Sequence, residues 1–177
     1  MRLLQRLVSL LPHTTITING KPYLTRYYVF GKDRTWGNIY IHHFHSSDQG
    51  LELHNHPWKW GFSIVVSGGY FEERSRNPYR WEKRGDPMPF NPLGQDEDIW
   101  IPTGSPWPPK VVIERRDVRP GTINIIWPTD FHRVDLKDEA RGAWSLFFAG
   151  PRTKDWGFLD RETAEYKDWR KNPEAIP

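Results

Sequence analysis

Three histidines carry the chemistry open to this chain. His54 and His56 flank one residue in Leu53-His54-Asn55-His56-Pro57-Trp58, and His132 closes a second apolar run, Trp127-Pro128-Thr129-Asp130-Phe131-His132. On an extended chain side chains alternate, so a His-x-His pair presents both imidazoles to one face, here shared with Glu52. His132 shares its face with Val134 and Leu136, while Arg133 and Asp135 face the other way. That apolar company predicts an inward His132. Three converging imidazoles suit Fe(II), Mn(II), Ni(II), Cu(II) or Zn(II) and leave coordination positions open for substrate or O2. A lone His-x-His is more often a hydrogen-bonded strand pair. The third histidine and the strand context turn the reading toward ligation.

Other side chains gather around these three. His42, His43 and His45 lie on a neighbouring strand whose two faces are both apolar, so alternation does not choose between them. His42, on the face of Tyr40 and Phe44, is the best of them for substrate or proton contact, and we group it with Glu52 as a catalytic candidate. Glu52 can accept from a ligand histidine and fix its tautomer, or stand as a rim charge. Trp58, Trp60, Phe62 and Trp127 flank the ligands and are the candidate aromatic walls of a substrate pocket; barrel packing is their alternative role. Arg26 and Tyr28, on an N-terminal strand beside Tyr27, can clamp a carboxylate, with packing an equal alternative. Arg152, before Trp156, can act as a structural latch.

These residues need a scaffold, and the composition indicates which. The 177 residues fit one domain with a core large enough to fold alone. Ten Trp, nine Phe and seven Tyr, with 16 Pro and 14 Gly, favour an all-β domain with many turns. No cysteine is present, which excludes disulfides, zinc–thiolate sites and thiol catalysis. A net charge of +3 without a long basic run gives no reason to expect nucleic acid. No apolar stretch approaches the roughly 20 residues of a membrane span, and the N-terminus lacks a convincing signal-peptide core. Cytoplasmic location and a small-molecule substrate are the resulting expectations. Nucleophile elbows, phosphate-cradling loops and dinucleotide fingerprints are not found in the sequence.

The chain reads as about ten short strands, the pattern of a sandwich, jelly roll or barrel. Thr14 to Ile18 leads through Asn19-Gly20 to Tyr23 to Phe30, a hairpin signature. Further runs are Asn38 to His45, Leu51 to His56, Phe62 to Val66, Tyr70 to Glu73, Trp100-Ile101, Val111 to Glu114, Thr122 to Trp127, His132 to Leu136 and Trp144 to Ala149. Leu3, Leu4, Leu7, Val8 and Leu11 recur at helical spacing before Pro12, and residues 160–172 read as a second helix with Asp160 as its N-cap. Residues 77–110 hold eight prolines and read as an insertion, either a lid or a surface excursion.

The motifs resemble those of the cupin superfamily, whose fold is a double-stranded β-helix. Its first motif runs Gly, spacer, His-x-His, Glu, Gly. Here Gly50 precedes His54 and His56, and Gly68 closes the run, but Gly61 stands at the Glu position. The second motif corresponds to Gly121 through Pro128 to His132, slightly compressed, with Asp130 at its turn Gly. The resemblance covers about residues 38–150. A three-histidine set without the Glu is similar to cysteine-dioxygenase-type cupins, and Asn55 within the pair departs from the carboxylate triad of 2-oxoglutarate oxygenases. A second likeness is to small bacterial and phage cupins with a His-x-His-Pro-Trp segment, a Ser67-to-Tyr70 turn and a Gly150-Pro151-Arg152…Trp156-Gly157-Phe158 tail.

The resemblance implies a single cupin domain over 1–177 with Fe(II) first among the metals and Zn, Mn or Ni as alternatives. It implies O2-dependent oxidation of a small polar or thiol-bearing molecule. A sugar-type isomerase, epimerase or lyase, and a non-enzymatic ligand-binding barrel, are the two alternatives. It also implies that copies can associate as a homodimer through sheet edges and terminal segments.

Overall fold

Alternation of side chains governs the architecture. In a computed structural model, residues 8–32, 36–76 and 111–171 are described. Among them are twelve strands: β1 (His13–Ile18), β2 (Lys21–Tyr28), β3 (Asn38–Phe44), β4 (Leu53–His54), β5 (Gly61–Ser67), β6 (Tyr70–Arg76), β7 (Glu114–Val118), β8 (Ile123–Ile126), β9 (Asp130–Leu136), β10 (Ala143–Ala149), β11 (Gly157–Leu159) and β12 (Tyr166–Asp168). Every pairing between them is antiparallel. One six-stranded sheet runs β1-β2-β3-β10-β5-β8 and the other β12-β11-β4-β9-β6-β7. The fold is an all-β jelly roll, the cupin barrel.

β5 and β10 show why these residues make a two-faced sheet. Along β5 the residues alternate between buried (Gly61, Ser63, Val65) and less buried (Phe62, Ile64). β10 places Ser145 and Phe147 inward, with Ser145 opposite His42 and Phe147 opposite Tyr40. At one end of the barrel Val65, Tyr70, Val118, Val134, Leu136 and Ala143 form an apolar cluster. At the other, Tyr40, Ile126, Phe147 and Ala149 pack with Tyr28 and Trp58. The outer side of the second sheet is sealed by Leu53, Phe131 and Leu159, each fully buried. Burying each such side chain contributes about 1.5–3 kcal/mol.

The N-terminal hairpin forms as its turn residues dictate. Asn19 and Gly20 both take positive φ, 52° and 73°, the geometry that joins two twisted strands in two residues. The expected N-terminal helix falls on residues 3–11, of which only those from Val8 are described; Leu11 N donates to Val8 O there. The Pro-rich stretch 77–110, with Trp100-Ile101, lies outside the described residues.

The expected helix over 160–172 is corrected. Asp160 does accept from the amides of Glu162 and Thr163, both at 2.9 Å, as an N-cap would. The chain then reverses instead of winding on. Ala164 takes φ 58°, and Tyr166–Asp168 pairs with Gly157–Leu159, leaving only a 3-10 turn at Trp169–Lys171. Tertiary contacts override helix propensity. Tyr166 packs against Gly157, where an added Cβ would lie 2.7 Å from its ring, and the rings of Trp169 and Trp156 stack 5.8 Å apart.

Candidate metal centre

Two devices bring the histidines together. β4 pairs with β9 so that His54 stands directly opposite His132. His56 lies just beyond the short β4 strand, and its segment is tied down by the chain that follows β10. Asn55 is fully buried; its Oδ1 accepts from Gly157 N at 2.9 Å and its own amide donates to Gly157 O at 3.1 Å. Pro57 O accepts from Thr153 N at 2.9 Å, Trp58 bridges Arg152, and Lys59 N donates to Pro151 O at 2.9 Å. The sequence features His54 to Trp58 and Gly150 to Phe158 are therefore two sides of one antiparallel strap. Arg152 sits in it as a latch and also pairs with Asp155 at 3.0 Å.

One ligating nitrogen from each of His54, His56 and His132 lies within 4.8 Å of the others. The Nε2 atoms of His56 and His132 are 2.7 Å apart. His132 Nδ1 meets Glu72 Oε1 at 2.7 Å, and His54 Nδ1 lies 3.4 Å from Asp48 Oδ2. With the His132 Nδ1–H committed to Glu72, its Nε2 is left to face His56. Burial, more than the opposing pull of Asp48, holds the His54 imidazole down at about 4. Burial, then its two histidine neighbours, holds His56 well below its ordinary value. Three imidazoles facing one point form a donor set that fits a divalent transition metal.

Glu72 is the residue that sequence reasoning missed. It is fully buried, and its Oε1 also accepts from Arg74 Nη2 and Asn124 Nδ2, both at 2.8 Å. Burial works to raise its carboxyl, but the hydrogen bond and charge of His132, with Arg74 and Asn124, outweigh it and hold it at about 2. Arg74 in turn donates to Ile125 O at 2.6 Å and stands 3.6 Å from Asp130. Asp130 also accepts from Trp127 N at 3.0 Å, which accounts for Asp at the turn position of the second motif. The alternation Tyr70, Glu72, Arg74 in β6 was the available signal: an apolar ring inward places the two charges inward with it.

Of the two roles open to Glu52 from the sequence, a histidine's acceptor or a rim charge, its ion pair agrees with the second. It lines the cavity, and its carboxylate pairs with Lys167 Nζ of β12 at 2.9 Å. Asp48 and Glu72 take the acceptor's place.

The absence of a carboxylate at Gly61 also has a structural cause. A Cβ there would lie 2.8 Å from Cζ of Phe147, so a side chain at the position where the resembled motif carries Glu would require that ring to shift.

The triad opens on a cavity of about 460 Å³. His42 lines it, buried and held neutral first by burial and then by the Arg26 charge. His43 and His45 fall on the outer face, His43 stacked on Trp144 and His45 bonded to Thr25. Trp58 and Arg26 line the cavity, Trp58 stacked on His56 with centroids 5.0 Å apart. Trp60, Phe62, Trp127 and Tyr28 do not line this cavity. Phe62 stacks on Phe148 on the outer face, with Trp60 beside it, because Gly61 and Ser63 take the inward positions. Trp127 continues the exposed row Ile123 and Ile125. Tyr28 packs edge-on behind Tyr40, its hydroxyl 3.3 Å from Thr14. Arg133 points outward to Glu73, as its position in β9 predicts.

No protein-family model and no curated protein sequence matches this chain. Among solved structures, it superposes on Fe(II) HppE in complex with substrate with a TM-score of 0.50 at 7% identity, over 80% of this chain and 57% of that one. Fe(II)-HppE with the alternative substrate (S)-1-HPP gives 0.48 at 7% identity, over 78% and 55%. The chain thus spans little more than half the length of these structural neighbours, and the likeness concerns the fold. The fold is that of a cupin-type barrel, and it carries a three-histidine group that could hold a metal ion. Among the described residues no helix is long and apolar enough to cross a membrane.

Proposed function

We propose that this chain is a mononuclear metalloenzyme in which His54, His56 and His132 hold Fe(II), or a similar divalent ion, for the O2-dependent oxidation of a small polar or thiol-bearing molecule. One observation carries the reading: three converging imidazoles, His132 buried and His54 and His56 partly so, two of them with a carboxylate beside Nδ1, open on a single cavity. A bound divalent ion would supply Lewis acidity and a common site for substrate and O2. The Fe(II) in the structurally similar HppE is the reason to place iron first. Inserting both atoms of O2 into the substrate balances without an external reductant.

This chain's own residues supply the rest. Glu72 and Asp48 orient the ligands, and Phe147 packs against Gly61. Trp58 and Phe147, with centroids 5.0 Å apart, exclude water beside His56. His42 is a neutral imidazole facing the cavity, its Nε2 accepting from Arg26 Nε at 3.3 Å. It also favours a second reading, a sugar-type isomerase or lyase in which His42 moves the proton; activity surviving complete metal removal would select it.

The first test is metal content by elemental mass spectrometry on untagged protein, beside a His54→Ala/His56→Ala control, followed by O2 uptake after anaerobic Fe(II) loading. Near-stoichiometric metal lost in the control, with substrate-dependent O2 uptake, is the expected result. A protein that takes up no Fe(II) anaerobically would overturn it.

A further inference from the structure

The cavity holds a guanidinium with no counter-ion among the described residues. Along β2 the side chain of Arg26 shares the inward face with Leu24 and lies in register with His42. Its Nε donates to His42 Nε2 at 3.3 Å, which uses one donor and sets the orientation of the fork. The guanidinium carbon sits 5.1 Å from the Tyr40 ring and 5.9 Å from the Trp58 ring. Among the described residues no carboxylate pairs with it. The acids that line the cavity are committed elsewhere: Asp48 to the Tyr23 hydroxyl, His54 and Val134 N, and Glu52 to Lys167. The other arginine of the cavity wall, Arg152, is already paired with Asp155.

We propose that Arg26 anchors an organic carboxylate whose flat apolar body lies among Tyr40, Trp58 and Phe147, so that the substrate of this site is a small acid. The assignment deepens the function proposed above and rests on it only for what happens at the metal end. The two remaining nitrogens of the guanidinium match a carboxylate with two parallel hydrogen bonds, a geometry lysine does not reproduce. A half-buried cation beside two ring faces is worth more in pairing than one in water, because the surrounding aromatic wall lowers the local dielectric. His56 stacks on the same Trp58, so an acid held by Arg26 lies one ring's breadth from a metal ligand.

The test is calorimetric titration of the full chain, freed of metal by chelation, with benzoate and its neutral isostere benzamide. Benzoate is expected to bind at least tenfold more tightly than benzamide. Arg26→Met should abolish that preference and leave benzamide unchanged, and Arg26→Lys should retain only part of it. Metal uptake by Arg26→Met, measured separately, is expected to match the wild type and establishes that the variant is folded. Equal affinity for benzoate and benzamide, no benzoate binding by the wild type, or benzoate binding that survives Arg26→Met would each overturn the proposal. Benzoate binding that appears only with metal would also overturn it, since the ion and not Arg26 would then be the anchor. The metal reading stands or falls on metal content alone, so the two failures are distinguishable.

Discussion

Glu72, on β6, and His132, on the adjacent β9, are joined by a 2.7 Å hydrogen bond between a fully buried carboxylate and the imidazole Nδ1. The pair is diagonal across two neighbouring strands, Glu72 being opposite Val134 and His132 opposite Arg74. It makes His132 a stronger donor at Nε2 and fixes its tautomer. Glu72→Gln keeps the shape and removes the charge. We expect metal affinity, measured by competition with a chromophoric chelator, to fall about 10–100-fold. Unchanged affinity would assign Glu72 a purely structural role.

Asn55 tests the strap that holds His56. Asn55→Ala removes the acceptor for the buried Gly157 amide, a loss of about 1–3 kcal/mol. Urea denaturation should show that loss, and metal affinity should fall with it because His56 is no longer pinned. Asn55→Asp retains the acceptor and should recover part of the metal affinity. Full stability in Asn55→Ala would mean that the backbone pairing alone suffices.

Gly61 tests its contact with Phe147. Gly61→Ala drives a methyl against the Phe147 ring, and overpacking of this kind costs about 1–3 kcal/mol. Adding Phe147→Leu should recover most of the loss in a double-mutant cycle of thermal melts. Purely additive effects would show that the two residues do not share the space.

The buried histidines set an acid limit. His54 and the half-buried His43 are both lowered to about 4, chiefly by burial, from an unfolded value near 6.5. Between those values the unfolded chain binds protons that the folded chain does not. Stability of the metal-free protein is therefore full above about pH 6.5 and is lost as pH falls toward about 4. Urea midpoints measured across that window should decline with acidification, and more gently in His43→Gln, which sits apart from the triad. A flat profile would mean that these imidazoles are solvated in the native state.

Several features were legible in the residues themselves because they are local. His-x-His alternation placed two imidazoles on one side, and the company of Val134 and Leu136 placed His132 inside. Asn19-Gly20 defined a hairpin, since few other dipeptides accept two positive φ angles. The motif spacing indicated the barrel and the three ligands together.

Other features depended on strand partners distant in sequence. Which face of β3 is interior was undecidable from its doubly apolar pattern; pairing with β2 and β10 put His42 inside and His43 out. Glu72 reads as an ordinary hairpin acid until β6 lies beside β9. Residues 160–172 carry helix-like signals, yet the free edge of β11 and the space over Gly157 draw them into a strand. The ring of Phe147 reaches Gly61 only because β10 lies beside β5. The sequence by itself determined the donor atoms and the alternating strands, because those follow from side-chain chemistry and a two-residue period. Only the tertiary structure decided the carboxylate partners of the histidines, the contact of Phe147 with Gly61 and an Arg26 with no carboxylate partner among the described residues, because each arises where separate strands meet.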